Sequence, residues 1–419
     1  MTNRLPLCAL APLIVLASAC SDVPSVPRGP SPGATRAESH VGVTRYVALG
    51  TSLSMGVMSN GVIGSDQSHS WPSQLAELAG ISFTQPLIQW PGCQPPLAAP
   101  LASLKRIDGT TVFTRAAVCA PRVEDIGAPT QNLALSEALT LNALGTTPES
   151  PSPASWPLRG EFYSRVLGAG QTQVTAMLAQ KPDLVSVEFG VNEVLGARAG
   201  LLAPGITFLP FSSWKPGYDQ LITAVKSTNA MVVLVGVITN PRNFPSLRRG
   251  AELYDDRAQL SNYAITVDDD CATTAAENYV YVPTKVIAAF AAGSSGAPLS
   301  CGDVPGTQDF VLTPADMDAV AAQLVAMNSY IRQVAEDNGF AFFDLDSLYG
   351  RGDLKAPFSS ATLLTSDTPY GPLISLDGVH PSAAGHHILA REAAKSLNVT
   401  YHLGIKREAI AASRQHIDP

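Results

Sequence analysis

Short apolar runs alternate along this chain with stretches of helical periodicity. The runs fall at 45–50 (RYVALG), 81–87 (ISFTQPL), 183–190 (DLVSVEFG), 231–239 (MVVLVGVIT) and 340–345 (FAFFDL). Each is rich in β-branched or aromatic residues and bounded by glycine, proline or polar residues, the marks of a strand. Helix-like segments lie between them: WPSQLAELAG from 71, QTQVTAMLAQK from 171, YDQLITAVKST from 218, a long run from about Pro314 to Asp337, and a last one from Ser382 to Leu397. Nearly continuous apolar strands separated by helices imply a parallel sheet covered on both faces. The expected fold class is therefore α/β: a doubly wound, flavodoxin-like three-layer αβα sandwich around a mostly parallel five-stranded sheet. In such sheets ligands sit beyond the carboxyl ends of the strands.

Two long segments break the alternation, about 88–160 and 240–312. Each carries a cysteine pair, and both read as ordered excursions over the rim of a site rather than as free loops. With them included, one large domain spans 44–398, followed by a tail at 399–419. No internal repeat is evident.

Residues 1–19 read as an export signal: Arg4 supplies the positive region, and the apolar stretch that follows is too short to span a bilayer. The closing ASAC resembles a bacterial lipobox, with Cys20 as the residue to be lipidated; an ordinary secretory signal cleaved after Ala19 is the rival. Residues 20–43, rich in Pro, Ser and Gly, read as a flexible tether. The implied location is the bacterial cell envelope, lipid-anchored, with Ser21 matching the outer-membrane sorting pattern. Export changes the cysteine arithmetic. With Cys8 removed and Cys20 lipidated, Cys93, Cys119, Cys271 and Cys301 remain, enough for two disulfides. Sequence proximity favours Cys93–Cys119 and Cys271–Cys301 over the other connectivities, and no close cysteine pair exists to begin a zinc site.

Charge narrows the partners. With 27 basic and 35 acidic side chains among 419 residues, the net charge is −8. That is a poor match to the basic face of a nucleic-acid binder.

The chemistry lies in three segments. Ser52 sits at the exit of the first apolar run, in GTSL; Asn192 follows the third, in GVNE; Asp377 and His380 stand three residues apart at the entry to the last helix. A hydroxyl, an imidazole to take its proton and a carboxylate to orient the imidazole are the parts of a serine hydrolase. The Ser52 N–H and the Asn192 amide are natural donors to an oxyanion. Each segment alone has a plainer reading: a glycine- and serine-rich loop after a strand, a helix N-cap at Asn192, an Asx turn at Asp377. Their order and their placement at strand exits and helix entries favour the chemical one.

Together these blocks resemble the SGNH (GDSL-type) hydrolases, in the right order over about 44–398. Gly50, Thr51, Ser52 and Leu53 stand where the family has Gly-Asp-Ser-Leu, with threonine for the aspartate. Gly190, Val191, Asn192 and Glu193 match Gly-x-Asn-Asp, and Asp377 and His380 match Asp-x-x-His. The family's remaining block supplies a backbone N–H from a glycine. The nearest match is NLALSE, with Glu137 at that position, and Gly168 or Gly170 are alternatives. The resemblance implies Ser52 as nucleophile, His380 as general base, Asp377 as its partner, and Ser52, Asn192 and the Glu137 backbone as the oxyanion hole, with no metal or organic cofactor.

Other residues are set aside. Ser54 is a rival nucleophile two residues further from the strand. His386 and His387 fall in the last helix, where packed or solvated histidines are the default. Asp344, Asp346 and Asp353 lack calcium-loop spacing, and Asp268–Asp270 reads as a solvated turn. Trp71, Trp90, Trp156 and Trp214 are either core residues or the lining of an acyl or sugar pocket. The expected activity is hydrolysis of a carboxylic ester, whether a small ester, a lipid or an acetylated glycan. A catalytically inactive envelope binding protein that keeps the same fold is the alternative.

Overall fold

The computed structural model describes residues 42–114, 119–124, 127–154 and 156–406. Most of the expected tether, the signal segment and Cys20 lie outside the described residues. Among the described residues, seven strands form two sheets: β1 (Tyr46–Leu49), β2 (Leu184–Glu188), β3 (Met231–Gly236), β4 (Leu247–Arg249), β5 (Tyr279–Tyr281), β6 (Val311–Leu312) and β7 (Ala341–Asp344). The main sheet is parallel, in the order β1-β2-β3-β7. Its register sets Ala48 beside Ser186 and Val187 beside Leu234. Every residue of β1 and β2 is buried, which is why these strands read as unbroken apolar runs.

The helices that cover the sheet are well capped. Thr313 and Asp316 form a reciprocal capping box at the start of Pro314–Asn338, and Gly339 closes it in the left-handed conformation. Ser382 caps Ala383–Tyr401, and Thr172 caps Gln173–Gln180. Ala383–Tyr401 packs with Trp71–Ala79, β3 and β7, while Pro314–Asn338 packs on β3 and β7 beside Phe211–Lys226. No helix among the described residues is long and apolar enough to cross a membrane.

The expected fifth strand is corrected: the sheet has four, and 81–87 is not one of them. Pro86 cannot donate to a ladder, and the edge of β1 is occupied by another segment. Gln131 O accepts from the Ala48 N–H, and the N–H groups of Leu133 and Leu135 donate to Ala48 O and Gly50 O. Residues 82–84 lie outside that segment, linked to it by the Gln131 side chain and the Thr84 carbonyl.

The two excursions differ from their sequence patterns and from each other. The first has no named strand among its described residues. The second builds an antiparallel sheet, β4-β5-β6, from strands of two or three residues, plus the helix Val282–Ala292. Disulfides Cys93–Cys119 and Cys271–Cys301 close the two, the pairing that sequence proximity favoured.

Candidate active site

Strand β1 ends at Leu49, and the chain turns through Gly50 and Thr51 into the single helical turn Ser52–Met55. Gly50 is required by space: a Cβ there would lie 2.6 Å from Ser54 Oγ and 2.9 Å from Glu188 Oε2. That closeness reports a carboxylate buried beneath the turn. Glu188, the last residue of β2, accepts from the Thr51 N–H (2.9 Å), from Thr51 Oγ1 (3.0 Å) and from Ser54 Oγ (3.0 Å). Burial pushes the Glu188 carboxyl up to about 7 against those donated bonds. Trp71 Nε1 donates to Ser54 Oγ at 3.1 Å. Ser54, the rival nucleophile, is therefore a fully buried strut for the turn.

Ser52 points the other way. Its Oγ lies 2.9 Å from His380 Nε2, and His380 Nδ1 lies 2.7 Å from Asp377 Oδ2. Asp377 is nearly completely buried and also accepts from the N–H groups of Val379 and His380 (both 2.9 Å) and Asn60 (2.6 Å). Burial alone pushes this carboxyl up. The His380 imidazole, its hydrogen bond and the donating N–H groups of His380 and Val379 outweigh burial and hold it down to about 2. An ionised Asp377 fixes the proton on Nδ1 and leaves Nε2 as acceptor for the Ser52 hydroxyl. The turn at Ser59 and Asn60, both with positive φ, locks this loop: the Ser59 N–H donates to Ser375 Oγ (2.8 Å), which reaches back to His380 O (3.0 Å).

Asn192 begins the turn after β2, reached through Gly190, whose φ of +126° is open to glycine and rare for other residues. Its Nδ2 donates to Ala138 O at 2.9 Å, which engages one of the two amide hydrogens. The neighbouring Glu193 is buried and accepts from both the N–H and Oγ1 of Thr140 at 2.7 Å. Asn192 and Glu193 thus clamp the 138–140 segment from one side. Glu137, just before it, has φ +60°. The glycine of the pattern is replaced, but the backbone keeps the conformation glycine favours, at a cost of roughly 1–2 kcal/mol. Gly168 and Gly170 do not share this cavity; their N–H groups donate to Gln171 Oε1 and Glu149 Oε2.

Ser52, His380, Asn192 and Glu137 line one cavity of about 320 Å³. A second, of about 330 Å³, opens from the same His380 and has mostly apolar walls. Of the tryptophans, Trp156 lines the first cavity, Trp71 and Trp214 are core residues, and Trp90 is exposed away from both. The other candidates do not converge here. His386 is fully buried, and desolvation holds its imidazole neutral, down to about 3. His387 Nδ1 lies 3.0 Å from Gln74 Oε1. Asp270 accepts from Ser300 Oγ and from the N–H groups of Cys301 and Gly302, so it is a loop anchor. Two contributors escaped sequence reasoning. Glu188 carried a signal, a lone charge in a buried strand; Asn60 carried none.

A hydroxyl, an imidazole and a buried carboxylate thus stand in line, beside a side-chain amide and at a cavity mouth. The chain belongs to the GDSL-like lipase/acylhydrolase family, whose model matches residues 46–393. Carboxylic-ester hydrolysis is accordingly its general chemistry. Among solved structures it is similar to a putative GDSL-like lipase from Parabacteroides merdae, at 12% identity and a TM-score of 0.36, over 86% of this chain and 99% of that one. It is also similar to the acetylxylan esterase Axe2 of Geobacillus stearothermophilus, at 12% identity and a TM-score of 0.36, over 87% and 95%. A third is TesA, at 14% identity and a TM-score of 0.33, over 85% and 99%. No curated protein sequence matches the chain.

Proposed function

We propose that this protein is a serine esterase that works through an acyl-enzyme on Ser52. The observation that carries the reading is the unbroken chain from Ser52 Oγ through His380 to Asp377, at 2.9 and 2.7 Å. As Ser52 Oγ attacks the ester carbonyl, His380 Nε2 takes its proton and the Asp377 carboxylate stabilises the imidazolium. The tetrahedral oxyanion is held by the Ser52 N–H and the second amide hydrogen of Asn192, with the Glu137 N–H as third donor. His380 then protonates the departing alcohol. Water, giving its proton to His380, attacks the acyl carbon; the acyl–Oγ bond breaks, His380 returns the proton to Ser52 Oγ, and the acid leaves.

The substrate is a small ester, a lipid acyl ester or an O-acetylated glycan. On this reading the enzyme sits in the bacterial envelope on a lipid anchor at Cys20, supported by the signal-like residues 1–19 and the lipobox-like ASAC. The test is hydrolysis of p-nitrophenyl acetate and longer homologues by the wild type beside Ser52→Ala. Turnover abolished by the substitution supports the assignment. A rate unchanged by it removes Ser52 from the mechanism, and a folded wild type that hydrolyses no ester favours a binding protein on the same fold.

A further inference from the structure

Arg198 stands where the two cavities meet, and the mechanism does not use it. It lines the first cavity with Ser52 and the apolar one with Tyr281, and His380 lines both. Its turn, Gly196–Ala199, continues directly from the one that carries Asn192. The turn is pinned from the second excursion: the Phe310 N–H donates to Ala199 O at 2.8 Å. Gly200 follows with φ +93°, and a Cβ there would lie 2.3 Å from Asp309 Oδ1.

Arg198 is half-buried, and its guanidinium lies over the Tyr281 ring at 5.7 Å. Among the described residues no carboxylate pairs with it. The acid of the apolar cavity, Asp377, is held by His380 and three backbone N–H groups, and Asp309 is taken by the N–H groups of Val304 and Val311. A partly desolvated guanidinium, seated on a ring and lacking an acid, is suited to a planar or tetrahedral anion, which it can hold through two parallel bonds. The walls beside it are apolar and come from both excursions: Leu97, Leu101 and Phe113 from the first, Pro283, Ile287 and Phe310 from the second.

We propose that Arg198 selects the substrate, binding an anionic group, carboxylate or phosphate, of an ester whose apolar arm lies in the cleft between the two excursions. This rests on the esterase reading above. The group sits on the acyl chain or on the alcohol, and two matched pairs of esters separate the sources. p-Nitrophenyl hydrogen adipate against p-nitrophenyl hexanoate tests a carboxylate on the acyl side. Dihexanoyl glycerophosphate against dihexanoylglycerol, both below their micellar concentrations, tests a phosphate on the alcohol side.

In one pair or the other the wild type has the higher kcat/KM for the anionic member. Arg198→Gln lowers that anionic-to-neutral ratio by roughly ten- to a hundred-fold. Arg198→Lys keeps the charge but not the planar fork and retains part of the preference; it carries the test if the glutamine variant does not fold. Turnover of all four esters with no charge preference, or a preference that survives Arg198→Gln, overturns the inference and leaves the esterase reading standing. A wild type that turns over p-nitrophenyl acetate but none of the four overturns the inference alone, and one that turns over none of the five overturns both.

Discussion

The two disulfide-closed excursions are alike in their cysteine spacing, 26 residues in one and 30 in the other, yet they act on the site differently. The first is tied to the main sheet. Leu133 and Leu135 bond the end of β1, and Asn192 and Glu193 bond Ala138 and Thr140. Its segment at Glu137 therefore sits at a fixed place beside Ser52. The second makes its own sheet and, among the described residues, contributes to the apolar cavity but not to the one that Ser52 lines. One excursion is part of the machinery that would hold the reacting carbonyl; the other shapes what can approach it. Damage to the first should lower kcat, and damage to the second should change substrate preference.

Predictions follow that division, beginning with its common frame. Ser52→Ala or His380→Ala should lower kcat by several orders of magnitude, up to about a million-fold, in ester hydrolysis assays. Asn192→Ala removes an oxyanion donor and the clamp on Ala138 together. It should lower kcat by roughly a hundred- to a thousand-fold with a smaller change in KM. Thr284→Trp, in the apolar wall of the second excursion, should lower the hexanoate-to-acetate ratio of kcat/KM by about ten-fold. If Thr284→Trp lowers acetate turnover as much as hexanoate turnover, the division of labour is wrong.

The smallest effect concerns the strut under the shared turn. Burial pushes the Glu188 carboxyl from an ordinary 4.5 up to about 7, so the folded state holds its proton more tightly than the unfolded chain. Its contribution to stability is full below about 4.5 and is lost as pH rises towards 7, by about 3 kcal/mol in total from linkage. Glu188→Gln should flatten the fall in melting temperature between pH 5 and 8. An unchanged slope would show that this carboxyl does not titrate in that range. Asp377 acts in the opposite sense. Its pKa is lowered to about 2, so its contribution is present above its ordinary value and lost only in strong acid.

The same contrast explains what could be read from sequence. β1 and β2 are buried and largely apolar, and each runs into a glycine within two residues, at Gly50 and Gly190, so Ser52 and Asn192 were legible as residues at strand exits. Asp377 and His380 were legible because both roles fall within one turn. The edge of the sheet was not: 81–87 has strand composition, but the position beside β1 went to 131–135 through backbone bonds that no side-chain pattern records. The second excursion hid its sheet because strands of two or three residues are too short to show a period of two. Arg198 and Tyr281 meet only through that hidden sheet.

The central claim is that Ser52 is a nucleophile activated by His380. Its most direct test is covalent trapping: full-chain wild type and His380→Ala are treated with a fluorophosphonate, digested and read by mass spectrometry. The account predicts one adduct, on the peptide carrying Ser52, formed rapidly by the wild type and at a rate lower by orders of magnitude in His380→Ala. An adduct on Ser54 or elsewhere, or labelling of Ser52 that does not depend on His380, would contradict it.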